Sequence, residues 1–228
     1  MQKNLTVAIG DTWQPKLLAY FSMAMMALML TTNVLNLKFV NFAGISVISS
    51  QITYVLSLVL ADVMAEVYGY RRVRRLLYLG LACLVFYAIC LQIAVVLPPA
   101  PDFPNDAAFR TIFSQTPRIV GASIAAYFVT ELSNSFIMSN LKIRFVAKYF
   151  YGRALTSVGI AQVINGITFF TLAFAGVMPV GLIISAASFS WLIVMICEVA
   201  VLPFTKQIAR SVKAYEGIEH FDHAPAKT

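Results

Sequence analysis

Six apolar runs, each about as long as a bilayer-spanning helix, constrain the fold of this chain more than any other feature. A helix rises about 1.5 Å per residue and needs roughly 20 apolar residues to cross the hydrocarbon core. Lipid offers no hydrogen-bond partners to an open backbone, so each run must satisfy its own backbone groups. The sequence therefore predicts an all-α membrane protein with six transmembrane helices, over Leu17–Leu37, Gly44–Tyr68, Leu76–Leu97, Ile119–Leu141, Ala154–Val177 and Val180–Phe204.

The rest of the chain is short, which predicts one membrane domain with two flanking segments. Of the 228 residues, only 12% are charged, about half the share in a soluble domain. The first run is too long for a signal-peptide core and is followed by further runs, so we expect it to stay in the mature protein. The predicted organisation is a segment over 1–16, a membrane domain over 17–204 and a tail over 205–228 that is amphipathic, interfacial and then loose.

The distribution of Lys and Arg predicts the orientation of the helices. With six spans, both termini and the connections after the second and fourth spans share one side, with 2 + 4 + 4 + 4 = 14 of the 17 basic residues. The other side carries Lys38, Arg110 and Arg118. Cytoplasmic loops are enriched in Lys and Arg, so both termini are expected in the cytoplasm. The net charge of +7 then reflects topology and contact with anionic lipid, and no nucleic-acid partner is expected.

The Cys and His residues predict neither a metal site nor a cofactor. Cys83, Cys90 and Cys197 lie in apolar runs without the spacing of a zinc site, and His220 and His223 lie in the tail. We expect the three thiols to be buried and unreactive.

The connection from Pro98 to Arg118 is the longest one between the predicted spans. Its prolines end the third helix, and Asp106–Ser114 is expected to form a short helix. This segment is either a lid over a binding cavity or an ordered surface loop, and the second interpretation is preferred.

Polar residues inside the apolar runs are the candidate binding residues, because such residues in a membrane usually serve a function. Carboxylates accept N–H groups, amides both donate and accept, and aromatic faces stack on rings. Together they suit a flat heterocycle with N–H donors and a carbonyl. Proton coupling is an alternative role for Glu131. Interhelical hydrogen bonding is an alternative role for Gln162 and Asn165. The predicted substrate-binding residues are Asn33, Gln51, Glu131, Asn134, Gln162, Asn165 and Trp191, among the aromatic residues Tyr127, Phe128, Phe136, Phe169 and Phe170.

Five charged residues are candidates for gating or coupling. Asp62 and Glu66 are four residues apart and share one face of the second helix. Three roles are open to them: binding a coupling cation, contacting the substrate, or pairing with Arg71, Arg72, Arg74 or Arg153. The pairing with arginine is the preferred interpretation for both residues. Glu198 is expected to meet a basic inner loop. Arg118 and Arg153 complete the set.

The run DVMAEVYGYRRVR (Asp62–Arg74) resembles the signature D-x-x-x-E-V-Y-G-Y-x-x-A-R of the VUT family, the queuosine precursor transporters. RALTSVGIAQVIN (Arg153–Asn165) resembles the fifth-helix pattern of that family, and RIVGAS (Arg118–Ser123) and EGIEHFD (Glu216–Asp222) also match family patterns. The chain departs from the family at Asn134 and Asn165, where Asp is frequent, and near Val194–Met195, where a lysine is expected.

The resemblance implies a six-helix fold similar to the substrate-binding subunits of vitamin uptake transporters. It also implies import of queuine or related 7-deazaguanine bases, including cyano and aminomethyl precursors, across the bacterial inner membrane for tRNA modification. The expected partners are therefore a purine-like small molecule and the lipid bilayer. Whether the chain forms a homo-oligomer is left open.

Three other functions compete with a solitary carrier. One is a substrate-binding subunit for another vitamin-like molecule that works with a separate ATP-driven module. The methionine-rich first helix lacks a small-residue docking stripe, which disfavours this hypothesis. The chain has no Walker motif, so it is not expected to hydrolyse ATP itself. A second is a membrane enzyme that holds Mg²⁺ between Asp62 and Glu66, which the adjacent arginines disfavour. The third is a structural membrane protein, which the many intramembrane polar groups disfavour. No enzymatic activity is expected.

Overall fold

The computed structural model describes residues 15–42, 44–144 and 150–217, and within them the side chains of 134–144 and 150–157, together with a few isolated positions, lie outside the description. These residues are mostly helical, as predicted. The elements are α1 (Leu18–Leu35), β1 (Phe39–Phe42), β2 (Ile45–Ile48), α2 (Gln51–Tyr68), α3 (Tyr70–Val96), α4 (Asp106–Phe113), α5 (Thr116–Arg144), α6 (Phe150–Phe174) and α7 (Val180–Glu216).

Four of the described helices are long and apolar enough to cross a membrane: α1, α2, α3 and the Val180–Val201 part of α7. The Val158–Phe174 part of α6 is apolar but shorter, and α5 carries Arg118 and Glu131 within its length. The helical membrane architecture is therefore confirmed, and the count of six spans remains a prediction.

A β-hairpin replaces the start of the predicted second span. Strands β1 and β2 pair antiparallel in the register Phe39 to Ile48 and Phe42 to Ile45. Gly44, in the turn, has a φ of 85°, which a residue with a Cβ rarely adopts, and its N–H donates to Asn41 Oδ1 at 2.9 Å. The expectation that this helix begins at Gly44 is wrong because the hairpin satisfies these backbone groups by itself.

Helices α2 and α3 are separated by a single residue, Gly69, with a φ of 84°. The predicted second span therefore ends where expected, at Tyr68, but α3 begins at Tyr70 and not at Leu76. The arginine cluster 71–75 therefore lies in the first turns of α3, where its side chains have a fixed helical spacing. We call this end of the molecule the basic end, and the opposite end, which carries the β-hairpin and α4, the hairpin end.

Helix α7 continues to Glu216 as one element of 37 residues, and Pro203 lies within it. The tail predicted from Thr205 is helical up to Glu216, and Ala209 and Val212 are buried in the apolar cluster with α2 and α3; its place at the membrane interface remains a prediction. The remainder, 218–228, lies outside the described residues.

The short helix predicted over Asp106–Ser114 is confirmed as α4. It is held against α3 because Gln92 Nε2 donates to the Phe113 carbonyl at 3.0 Å and Arg110 donates to the Leu97 carbonyl at 2.9 Å. None of the described α4 residues lines the central cavity, which favours the surface-segment interpretation over a lid.

Two apolar clusters lie toward the two ends of the bundle. The cluster at the basic end is built around Met64 and Val73, and the cluster at the hairpin end around Phe174 and Ala186. The long helices enclose the space between these clusters.

Candidate functional site

A cavity of about 310 Å³ lies between the two apolar clusters, and side chains from all six long helices line it. Its walls are mostly apolar, with a small number of polar groups, as is usual for small-molecule sites. Aromatic residues of the predicted set that line it are Tyr127, Phe169, Phe170 and Trp191. Phe128 is exposed and lies outside the lining, and the Phe136 side chain lies outside the description.

Six of the seven predicted binding residues line this one cavity, namely Asn33, Gln51, Glu131, Gln162, Asn165 and Trp191. The side chain of the seventh, Asn134, lies outside the description. The structure thus brings the predicted set together, and its role in binding remains a prediction.

The polar groups that α1 and α2 contribute are paired with neighbouring side chains. Ser50 Oγ donates to Asn36 Oδ1 at 2.5 Å. Ser190 Oγ donates to Gln51 Oε1 at 2.6 Å, and Gln51 Nε2 donates to the Ser190 carbonyl at 3.3 Å. Gln51 therefore links α2 to α7, which is the interhelical role that the sequence also allowed for amides.

Two further hydrogen bonds cross the cavity walls. Ser123 Oγ donates to Asn33 Oδ1 at 3.1 Å and links α5 to α1. The Tyr54 hydroxyl donates to Gln162 Oε1 at 3.1 Å and links α2 to α6. Tyr54 was absent from the predicted set, and its place in a polar stripe with Gln51 is the signal that would have found it. These bonds fix the orientation of the amides that face the cavity.

Trp191 faces the cavity with its indole anchored. Its Nε1 donates to the Gly159 carbonyl at 3.2 Å, which joins α7 to α6. This bond satisfies the one polar atom of the ring, so the ring is available for stacking.

The α5 wall is different, because three of its residues, unlike Ser123, have a polar atom without a hydrogen-bond partner among the described residues. Tyr127 Oη, Thr130 Oγ1 and Glu131 Oε1 are buried, and none of these atoms has a hydrogen-bond partner among the described residues. All three residues line the cavity. An unsatisfied buried polar atom costs about 1–3 kcal/mol, so this wall is arranged for hydrogen bonds that the described protein groups do not make.

Glu131 has a cation nearby but at a distance too long for a hydrogen bond. Arg74 Nε lies 3.9 Å from Glu131 Oε1, and the Glu131 side chain is 19% exposed. Arg74 comes from the basic cluster of α3. The sequence indicates Arg74 only as a possible partner of Asp62 and Glu66. Its approach to the cavity depends on how separate helices pack, which the residue pattern of one helix does not reveal.

The described partner of Glu66 is a lysine, and its predicted pairing with Arg153 lies outside the described side chains. The Glu66 carboxylate accepts a hydrogen bond from Lys213 Nζ at 2.6 Å. The helical extension of α7 places Lys213 there, and that extension was not predicted. Asp62 is exposed, and no ion pair of Asp62 is found among the described residues; the Arg153 side chain lies outside the description.

Glu198 was expected to meet a basic inner loop. Among the described residues its electrostatic neighbours are Asp62 and Tyr54. The basic side chains of the connection between α5 and α6 lie outside the description, so this expectation remains a prediction.

Arg118 has a structural position at the start of α5. Its guanidinium donates to the Leu172 carbonyl at 2.8 Å and to the Ala175 carbonyl. These are carbonyls at the end of α6, which an arginine side chain satisfies well. Arg118 therefore fixes α5 against α6 at the hairpin end.

A second buried carboxylate, Glu216, joins three elements at the basic end. It accepts hydrogen bonds from the backbone N–H groups of Lys16 and Leu17 at 2.8 and 2.7 Å and from the Tyr68 hydroxyl at 2.9 Å. Burial raises its pKa, but the hydrogen bonds from Leu17, Lys16 and Tyr68 outweigh this and lower the pKa of Glu216 below its usual value. We call this arrangement the Glu216 junction.

Two predictions about cysteine and metals can be compared with the fold. Cys83 and Cys90 are exposed on α3, so the expectation that they are buried in the protein is wrong, and the apolar face that carries them is typical of contact with lipid. Within the described ranges, no cluster of three His, Cys, Asp or Glu residues is arranged to hold a metal ion.

Residues 49–208 match a protein-family model described as "Putative vitamin uptake transporter". The chain is also 24% identical over 143 residues to a Bacillus subtilis (strain 168) protein named "Probable queuosine precursor transporter". That match covers 62% of this chain and 62% of the relative, so the chain spans less than two thirds of its length. No solved structure matches the chain.

Proposed function

Since the chain belongs to the vitamin uptake transporter family, we propose that it carries a 7-deazaguanine base, a precursor of queuosine, into the cell. The name of the Bacillus subtilis relative supports this substrate class. The family favours transport over the membrane-enzyme hypothesis. The imported base would serve tRNA modification.

The observation that carries the proposal is the unpaired α5 wall of the cavity. A guanine-like edge presents adjacent N–H donors and a carbonyl oxygen. The Glu131 carboxylate accepts N–H groups, and the Tyr127 and Thr130 hydroxyls either donate or accept. A base in the cavity would therefore pair the three groups that the described residues leave without partners.

The remaining walls supply orientation and stacking. Gln162 is held by Tyr54, so its amide is oriented before the substrate arrives, which reduces the entropy lost on binding. Phe169, Phe170 and Trp191 offer apolar faces to a flat ring. The volume of about 310 Å³ is at the lower end of the range for ligand sites and favours a single small heterocycle.

The distribution of basic residues supports an orientation with the basic end in the cytoplasm of a bacterium, as the positive-inside rule requires. In that orientation, the hairpin end faces outward and the Glu216 junction faces inward. Import then requires the cavity to open alternately toward these two ends.

Uptake by cells that cannot synthesise queuosine precursors tests the proposal. Cells that express the protein should accumulate a supplied 7-deazaguanine and incorporate it into tRNA, and Glu131→Gln should reduce uptake at equal membrane abundance. Asp106→Asn is the matched control, because Asp106 is a carboxylate on α4 that lies outside the cavity. Equal uptake with and without the protein, or normal uptake by Glu131→Gln, would contradict the proposal.

A thermal-shift measurement on the purified protein tests binding of the base, and a search for a co-purifying ATPase separates a solitary carrier from a subunit of an ATP-driven assembly. A ligand that binds the native state raises the melting temperature. We expect deazaguanines to do so. Uptake that requires a co-purifying ATPase would favour the subunit hypothesis.

A further inference from the structure

Of the described residues that line the cavity, Glu131 is the one with a charged side chain. A lone carboxylate in a mostly apolar cavity attracts a cation, because an unneutralised buried charge is costly. The cavity would therefore select a cationic cargo if nothing else acted on Glu131.

Arg74 changes this expectation. Its Nε lies 3.9 Å from Glu131 Oε1, close enough to offset the negative charge but beyond hydrogen-bond distance. Glu131 Oε1 therefore has a neighbouring positive charge and still lacks a donor among the described residues.

The position of Arg74 is fixed by an aromatic residue one helical turn away. Arg74 Nε donates to the Tyr78 hydroxyl at 2.8 Å, and its guanidinium lies 5.5 Å from the centroid of the Tyr78 ring. The Tyr78 ring is stacked on Phe128 at 6.1 Å and meets the edge of Tyr127 at 6.3 Å. These contacts hold the guanidinium beside the α5 wall without the direct hydrogen bond that would occupy Glu131.

We infer that Arg74 is a specificity-determining residue that neutralises Glu131, so the cavity prefers a neutral, N–H-donating heterocycle over a cationic one. The inference rests on the proposed function and narrows its substrate class. The neutral cargo supplies the missing donor to Glu131, whereas a cationic cargo meets repulsion from Arg74.

Two 7-deazaguanines that differ in charge provide the test: one with a neutral nitrile group and one with a protonated aminomethyl group at neutral pH. The affinity of the purified full-length protein for each is measured by calorimetry. The measured quantity is the ratio of the Kd for the aminomethyl base to the Kd for the nitrile base, so intrinsic differences between the bases cancel when variants are compared.

Arg74→Gln should lower this ratio by about tenfold, equivalent to ~1.4 kcal/mol. Arg74→Lys keeps the charge and should retain the wild-type ratio, and Arg75→Gln is the control for removal of a neighbouring exposed arginine. Arg74→Met, which keeps an unbranched side chain beside Tyr78, replaces Arg74→Gln if the latter does not melt cooperatively.

An unchanged ratio in a folded Arg74→Gln or Arg74→Met protein that still binds both bases would overturn the inference and leave the proposed function standing. The same holds if Arg75→Gln lowers the ratio equally, since the effect would then be a general one of basic charge. Absence of binding of either base to the wild-type protein would overturn both proposals.

Discussion

Two buried glutamates occupy opposite surroundings in this protein. Glu216, at the basic end, is 5% exposed and accepts hydrogen bonds from two backbone N–H groups and a tyrosine hydroxyl. Glu131, in the cavity wall, is 19% exposed and has an oxygen without a donor among the described residues. Under the proposed function, Glu216 is a structural carboxylate, whose donors belong to the fold, and Glu131 is a binding carboxylate, whose donors arrive with a ligand.

The largest expected effect is on stability, at Glu216. Glu216→Gln leaves at least one of the two backbone N–H donors without an acceptor and removes the charge that strengthens the bonds. We expect the free energy of unfolding to fall by ~3 kcal/mol, about the value of a hydrogen-bonded charged group. Thermal melting in detergent measures this, and an unchanged melting temperature would remove the distinction between the two glutamates.

Glu131→Gln is expected to act on binding and not on stability. An amide keeps the shape but offers only one acceptor oxygen, so affinity for the neutral 7-deazaguanine should fall by about 30-fold, equivalent to ~2 kcal/mol. The melting temperature without ligand should stay the same or rise, because a carboxylate whose Oε1 is buried without a hydrogen-bond donor among the described residues is removed. A large loss of apo stability would show that Glu131, like Glu216, is structural.

The pH dependence of stability sharpens the comparison. The folded pKa of Glu216 is lowered relative to the unfolded value of about 4.3. Its stabilisation is therefore fully present above about pH 4.3 and is lost as the pH falls through the folded pKa. The melting temperatures of the wild type and Glu216→Gln should converge as the pH falls through this window; a constant difference would contradict the assignment.

The smallest effect is expected at Glu66, an exposed carboxylate paired with Lys213. Its side chain is 54% exposed, and exposed ion pairs contribute roughly 0–1 kcal/mol. Glu66→Gln should lower the free energy of unfolding by ~0.5 kcal/mol, and added salt should diminish the effect. A loss as large as that of Glu216→Gln would mean that exposure does not distinguish the two carboxylates at the basic end.

The sequence predicts the helices well because lipid leaves an apolar run of about 20 residues few alternatives. It fails over 39–48, where β-branched Val40, Val47 and Ile48 belong to the hairpin. Hydropathy alone does not separate a short apolar strand from the start of a helix. The geometry of the turn, and not hydropathy, determines that this region is a hairpin.

The cavity residues were found by one physical signal, a polar group where polarity is costly. Asn33, Gln51, Gln162 and Glu131 all carry that signal, and they line one cavity. That signal did not identify Arg74 and Glu216, because each lies in a basic or polar stretch of sequence, where a charged residue is common. Their importance comes from contacts with distant parts of the chain. Glu216 and Lys16, for example, are hydrogen-bonded although they are 200 positions apart.

The length of α7 has a mechanical consequence. Its cavity residues Ser190 and Trp191 and its terminal Glu216 belong to one helix, with roughly 38 Å of rise between Trp191 and Glu216. Pro203, lying between them, has no N–H to complete the backbone ladder, so bending is cheapest there. We expect the part of α7 that lines the cavity to tilt about Pro203 while its last turns stay hydrogen-bonded to the start of α1 through Glu216. The cavity could then change shape repeatedly without loss of the contacts at the Glu216 junction.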